Sequence, residues 1–514
     1  MDDKIIVSNR AALTAKYGSA GVGKIKQAVT ALIAADEKRG IKTRLVYLDT
    51  AAAMKNFRGK AVTDPADARQ NKEAIDAIFK TGDPDYLMIL GAADVVPHQD
   101  MTNPTFVPND DPDRFAYGDL PYACDTPYSR DIATFKGPTR VVGRLPDLTR
   151  KTGLNGQKPA SPAYLVSVLG FAEKFKSRDV AEYGKFFGLS THSWRKSTEL
   201  SLSNTFGNHG ALTIAPPSGP THSAARIAPL AHFINCHGGQ TDPNFYGEKG
   251  NSQPISLTSD GIAKKIKPGT VAAVECCYGA ELYDSVTLGL PIPICQRYLI
   301  QGAYGYFGSS TIAYGPADGN GAADLITQYF LAAVLGGASI GRAALMARQQ
   351  FVAQTGELDP VDLKTLAQFS LLGDPSITPA VVPSPTSVPK GVDAEQGERQ
   401  SRHLRRAKLR AVGQLLQESK PTASKKARKV RKSETVRKAL SNIAKEAGIG
   451  SKREFMAFDV KTPKGARPRG SKAVPAASHY YVAVYRPKKE YSSVAAVAKE
   501  VSGRIVGYRI YAEK

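Results

Sequence analysis

The chain reads as an α/β protein in which a parallel sheet is covered by helices on both faces. Its first 150 residues alternate short apolar runs with helical patterns, the rhythm of strands crossed over by helices. Farther on, the apolar runs 231–236 and 271–274 end in His237-Gly238-Gly239 and Cys276-Cys277-Tyr278-Gly279, as buried strands of a parallel sheet end in loops. At 514 residues the chain is too long for one ordinary core, so two α/β subdomains and a smaller C-terminal α+β domain are expected.

The expected elements run in order. In the first subdomain, 1–160, a strand near 4–8 precedes a helix over 24–39, a strand over 43–48, a helix over 71–80 and a strand over 86–90 that stops at Gly91. Residues 97–138 are rich in Pro, Asp, Asn and Tyr, and loops of that length inside compact domains are often functional. A short strand at 140–146 closes the unit. The second subdomain, 161–380, opens with a helix over 163–175 and has strands at 231–236, 270–274 and 304–307. Helices follow at 321–335 and 339–354, and 371–375 reads as a terminal turn. Residues 381–440 form a Pro-rich and then basic linker, with a helix over 399–418. The small domain, 441–514, reads as strand (454–461), strand (479–486), helix (492–501) and strand (504–511).

Charge is distributed unevenly. Residues 390–514 hold 31 Lys and Arg against 11 Asp and Glu, whereas residues 1–389 hold 38 against 36, so almost all of the +22 excess lies in the last quarter. A near-neutral body with a basic tail is expected to carry an attached polyanion-binding or regulatory region. The five cysteines, Cys124, Cys236, Cys276, Cys277 and Cys295, form no even framework of spacings and suit a reducing compartment. No secretory leader opens the sequence and no apolar stretch reaches membrane-spanning length. A cytoplasmic location is therefore the expectation.

The two strand ends carry the chemistry. On adjacent parallel strands, an imidazole and a thiol would meet at one sheet edge, as a cysteine nucleophile with a histidine base requires. The arrangement of apolar run, His-Gly, a spacing of 40 residues from His237 to Cys277, apolar run and acid-x-Cys-x-Gly resembles the caspase-type cysteine peptidases. The gingipain family is the nearest in pattern. Its landmarks are resembled by Leu87-Met88-Ile89-Leu90-Gly91 with Val96-Pro97, by Val141-Val142-Gly143-Arg144-Leu145-Pro146, and by the segments 302–310 and 371–376, in family order across roughly residues 1–380.

The resemblance implies a caspase-like parallel-sheet sandwich and peptide hydrolysis by a Cys/His dyad. Cys277 would be the nucleophile and His237 the base, with the N–H groups of Gly238 and Cys277 holding the oxyanion. Adjacent residues at a strand end point to opposite faces, so only one of Cys276 and Cys277 can meet His237; the acid-x-Cys-x-Gly register selects Cys277. Gly118-Asp119-Leu120-Pro121-Tyr122 is similar to the family's Ser-Asp-x-x-Tyr segment. This implies that Asp119 receives an Arg or Lys side chain before the scissile bond, with a turn-capping carboxylate as the plain alternative. No sequence signal names the group that orients the imidazole.

Other motifs read more plainly. Gly18-Ser19-Ala20-Gly21-Val22-Gly23-Lys24 has Ile25 where a phosphate loop needs Ser or Thr, so a glycine-rich turn before a helix is expected. The cluster Asn109-Asp110-Asp111-Pro112-Asp113 could bind calcium but lacks a full oxygen-ligand loop pattern, so a solvated loop is expected, and the spacing of His232, His237, Cys236 and Cys276 fits no closed zinc site. Neither a metal nor an organic cofactor is expected. The basic segment 399–438 has three readings: a solvated linker, a site for nucleic acid or another polyanion, or an exposed target for self-cleavage after a basic residue. The expectation is thus a cysteine endopeptidase acting on a protein or peptide; the alternative is a catalytically silent caspase-like scaffold that binds nucleic acid or a protein partner through its basic tail.

Overall fold

A computed structural model describes residues 2–153, 157–382, 394–427, 430, 432–450, 453–463, 478–487 and 492–514. Ten strands make one continuous sheet: β1 (Lys4–Ser8), β2 (Thr43–Tyr47), β3 (Tyr86–Leu90), β4 (Val142–Leu145), β5 (Phe186–Thr191), β6 (Leu212–Ala215), β7 (Ala231–Asn235), β8 (Val271–Val274), β9 (Gly305–Ser309) and β10 (Phe369–Leu372). Their order is β2-β1-β3-β4-β10-β9-β8-β7-β5-β6, and every pairing is parallel except β9 with β10. Strands β1, β3, β7 and β8 are buried at every position, which is why they read as unbroken apolar runs.

Segment 371–375, expected as a terminal turn, supplies β10 and the turn after it. β10 lies between the two halves, parallel to β4 through Leu372 and Arg144 and antiparallel to β9. The two expected subdomains therefore share one sheet. Strands β5 and β6 carry no signal that sequence reading used, and they extend the sheet beyond β7.

The first helix also differs from expectation. It runs Arg10–Lys38 rather than 24–39, with a kink at Gly18 (φ 65°), so the glycine-rich segment lies within a helix and not in a turn before one. Its apolar residues Leu13, Tyr17, Ile25, Val29 and Leu32 continue the helical period through the kink and are all buried.

The C-terminal region has β11 (Thr422–Lys426), β12 (Met456–Lys461), β13 (Ser478–Tyr485), β14 (Val494–Val501) and β15 (Arg504–Glu513), an antiparallel meander. Its sheet packs one face on the body and the other on a cluster of its own. Period-two alternation sends Tyr480, Val482 and Val484 into the main core, while Tyr481 and Ala483 face a second cluster with Val436, Leu440 and Ile443 of helix Glu434–Glu446. Residues 494–501, within the helix expected over 492–501, form β14. Alanine favours helices, but Ala495, Ala496 and Ala498 are covered on both faces of the sheet, where small side chains fit. The last strand, β15, pairs antiparallel with Tyr314–Gly315, which joins this sheet to the second half of the body.

The basic segment is more structured than a solvated linker. Helix Ala394–Ser419 lies on the first half, with Arg406 paired to Asp83 and Asp85 and Arg410 to Asp83 and Asp125. Most of the Pro-rich linker, 383–393, and part of the basic run lie outside the described residues. The acidic cluster is not a solvated loop either: Asp111 is fully buried and bonded to Lys364 Nζ at 2.6 Å, and Asp110 pairs with Arg453 at 3.0 Å. Among the described residues, no helix is long and apolar enough to cross a membrane.

A buried ionic cluster fastens the first strand to the strand that joins the halves. Lys4 Nζ donates to Asp36 at 2.8 Å, to Ser376 Oγ at 3.2 Å and to Asp374 just beyond β10. Lys4→Met would remove the buried cation that bridges Asp36 and Asp374. The expected loss, measured by urea unfolding, is about 3–5 kcal/mol; a loss within 0.5 kcal/mol would contradict this role.

Candidate active site

Strands β7 and β8 pair in parallel with Ala231 opposite Val271 and Ile234 opposite Val274. Three residues beyond the last pair the chain reaches His237 on one strand and Cys277 on the other. The two loops touch: a Cβ added at Gly238 would lie 1.9 Å from the Cys277 carbonyl oxygen, so only glycine permits this approach.

His237 and Gly238 then pair with Asn244–Tyr246, which continues into a strand at Ile255–Thr258. This small sheet returns Glu248 to the imidazole, where its Oε2 lies 2.9 Å from His237 Nε2. Glu248 is the orienting group that the sequence did not name. Burial tends to raise its pKa, but the His237 contact holds the carboxylate below its usual range. Trp194 packs edge-on against the His237 ring with centroids 4.3 Å apart, and Nδ1 faces the Ser492 hydroxyl at 3.3 Å.

The adjacent cysteines diverge as alternation requires. Cys276 Sγ lies in the sheet interior and accepts the Cys236 N–H at 3.4 Å. Cys277 Sγ faces Ala313, accepting its N–H at 3.1 Å and donating to its carbonyl at 3.5 Å. Structure thus brings the His237 and Cys277 loops together while the thiol is engaged by Ala313. Burial first, and then the Glu513 charge, push the Cys277 thiol well above its ordinary value. The Cys277 N–H donates to the main-chain oxygen of Lys514 at 3.1 Å.

Asp119 is placed differently from the role that the resemblance implied. Its carboxylate receives both Nε (2.9 Å) and Nη2 (2.6 Å) of Arg144, and the residue is 3% exposed. Burial works against ionisation, yet Arg144 and His98 hold the carboxyl below the usual range. A carboxylate already bound by a guanidinium offers no open receptor for a substrate cation. The departure at Gly118 has a steric cause as well: a Cβ there would lie 2.1 Å from the Ala367 carbonyl oxygen, so serine does not fit.

Beside the two loops lies a cleft of about 720 Å³, lined by His98, Tyr117, Gln240, Tyr278, Glu281 and Thr311. Gln240 and Tyr278 follow the histidine and cysteine loops closely, so the cleft opens next to both. Burial pushes the Glu281 carboxyl up to about 7, against the opposing Thr241 N–H that it accepts at 2.6 Å.

Comparison with known proteins finds no family model that matches the chain and no curated protein that matches it. A solved structure named "Structure of Protease" aligns over 99% of this chain and 97% of its own, at 13% identity and a TM-score of 0.47. A likeness of that size transfers neither fold nor activity.

Two outcomes are expected. Asp119→Ala leaves Arg144 buried and unpaired, so it should lower stability by about 3–5 kcal/mol in chemical denaturation; an unchanged midpoint would return Asp119 to consideration as a receptor. Alkylation of Cys277 by iodoacetamide, followed by peptide mass mapping, should be slower than that of an unshielded thiol at pH 8. Because the folded value is raised, its rate should keep climbing past the pH at which a free thiol, of pKa about 8.5, levels off.

Proposed function

We propose that this chain is a cysteine endopeptidase that cuts a protein or peptide chain after a basic residue, with Cys277 as nucleophile and His237 as base. The observation that carries the reading is the pairing of β7 with β8. It sets His237, held by Glu248, against a cysteine loop whose N–H already binds the main-chain oxygen of Lys514.

Glu248 keeps a proton on Nε2, which leaves the Nδ1 lone pair to act as base. Turned from Ala313 toward His237, the Cys277 thiol gives its proton to Nδ1 and Sγ bonds to the substrate carbonyl carbon. The carbonyl electron pair moves to oxygen, where the Cys277 N–H stabilises it; Gly238 is the second donor implied by the family pattern. Collapse breaks the C–N bond, and the imidazolium protonates the departing amine. Water, deprotonated by the same imidazole, attacks the thioester, breaks the C–S bond and restores the thiol. The chemistry calls for no metal or organic cofactor.

Fluorogenic peptides that differ only in the residue before the scissile bond test this reading. Cys277→Ala should reduce hydrolysis at least about 10³-fold, and His237→Ala by about 10²–10⁴-fold. Cys276→Ala should stay within a few-fold of wild type if it remains folded, and Glu248→Gln should lower the rate while His237 remains. Hydrolysis that survives Cys277→Ala would overturn the assignment.

A further inference from the structure

The last residue of this sequence occupies the proposed site. Lys514 is fully buried. Its backbone is held on both sides: its N–H donates to the Ala313 carbonyl at 2.9 Å and its main-chain oxygen accepts the Cys277 N–H at 3.1 Å. Glu513, just before it, pairs across from Tyr314 in an antiparallel ladder.

The Lys514 side chain enters a closed pocket. Its ammonium lies 3.0 Å from Asp324 Oδ1, 3.5 Å from Glu275 Oε2 and 3.5 Å from Ser197 Oγ, and it sits 4.8 Å from the centre of the Trp194 ring. Gly315 forms the wall, and a Cβ there would come within 2.3 Å of Lys514 Cε and 2.7 Å of Asp324 Oδ2. Asp324 comes from the first turn of helix Ala322–Leu335, and Glu275 follows β8 two residues before Cys277. Asp324 and Glu275 are both fully buried. Two buried carboxylates with one cation form a receptor, since without the ammonium they would face each other across a dry cavity. Its depth and tight wall suit a linear ammonium better than a planar guanidinium.

We infer that Asp324, Glu275, Trp194, Ser197 and Gly315 form the pocket for a lysine side chain preceding the scissile bond, and that the C-terminal strand fills this pocket in cis through Lys514. The inference rests on the peptidase reading for the words "scissile bond"; the pocket and its occupant do not depend on catalysis. It moves recognition of the basic residue from Asp119 to Asp324 and Glu275. The lysine pocket is thereby occupied by the chain's own strand, so lysine substrates compete with Lys514 for the same groups.

Trp194 is the one tryptophan of the chain, so its fluorescence reports directly on the pocket. In full-length Lys514→Gly protein the emission should shift from that of wild type. Adding n-butylammonium should restore it and raise the melting temperature. n-Butanol, the neutral counterpart, should bind at least tenfold more weakly, and Asp324→Asn in the same background should abolish the difference. Gly315→Ala in the otherwise native chain should displace Lys514 and reproduce the shifted emission. Unchanged emission on losing Lys514, or equal binding of amine and alcohol, would overturn the pocket. A catalytic readout addresses the occupant: lysine-peptide hydrolysis should rise at least tenfold in Lys514→Gly, with alanine in place of the substrate lysine at least tenfold slower. Hydrolysis indifferent to both changes would overturn the inference even if Cys277 is the nucleophile. Amine binding without any Cys277-dependent hydrolysis would instead sustain the pocket and remove the peptidase reading.

Discussion

The parallel register of Ala231–Asn235 with Val271–Val274 is the constraint on which the site depends. A slip of one residue would turn every side chain of one strand to the opposite face, bury His237 differently and exchange the positions of Cys276 and Cys277. Burial on both faces opposes any such slip, because each strand would then present misfitting side chains to a packed layer. Close contact at Gly238 secures the same register from the loop side, since the Cys277 carbonyl occupies the space that a Cβ would need.

Around that pair, distant segments close the cleft. The acidic loop at 109–113 acts as a clasp: Asp111 takes Lys364 and the Tyr314 hydroxyl, Asp113 takes the Ile312 N–H and the Tyr278 hydroxyl, and Asp110 takes the Arg486 N–H. These contacts tie the first half, the cysteine loop and the C-terminal sheet to one another. Buried ion pairs of this kind contribute little net stability compared with apolar packing, but breaking one member leaves an uncompensated charge. They thereby specify a single arrangement, in which β15 runs beside Tyr314–Gly315 and ends at Cys277.

The same burial governs the electrostatics of the site. Cys277 and Glu275 are fully removed from water, which disfavours their charged forms; Glu275 is pushed well above its usual value by burial and by Asp324, while Lys514 opposes the shift. Glu248, only partly covered, keeps its charge beside His237. The imidazole is thus oriented by an ionised carboxylate while the neighbouring thiol remains protonated. That combination belongs to an occupied pocket, with the thiol bonded to Ala313 and the Cys277 N–H already bonded to the main-chain oxygen of Lys514.

Much of this was legible in the amino-acid sequence because local pattern carries it. Unbroken apolar runs marked β1, β3, β7 and β8, the helical period marked Ala322–Leu335 and Ile340–Gln354, and His-Gly and Cys-x-Gly marked the two loops. Alternation alone separated Cys276 from Cys277. Other features had no local signature. Glu248 reaches His237 only through the pairing of short strands, and Asp119 meets Arg144 from across the fold, so neither contact follows from spacing. An alanine-rich stretch became β14 because both its faces were covered, and a C-terminal region that reads as a basic linker with one helix and a small α+β unit became a helix and sheet docked on the body. Sequence by itself determined which segments are strands buried on both faces and which residues end them, since hydrophobic period is a property of neighbours in the chain. Only the tertiary structure decided what fills the site, because Lys514, Asp324, Glu275 and Trp194 are brought together by sheet order and burial, and charge pairing in a dry pocket is a property of neighbours in space.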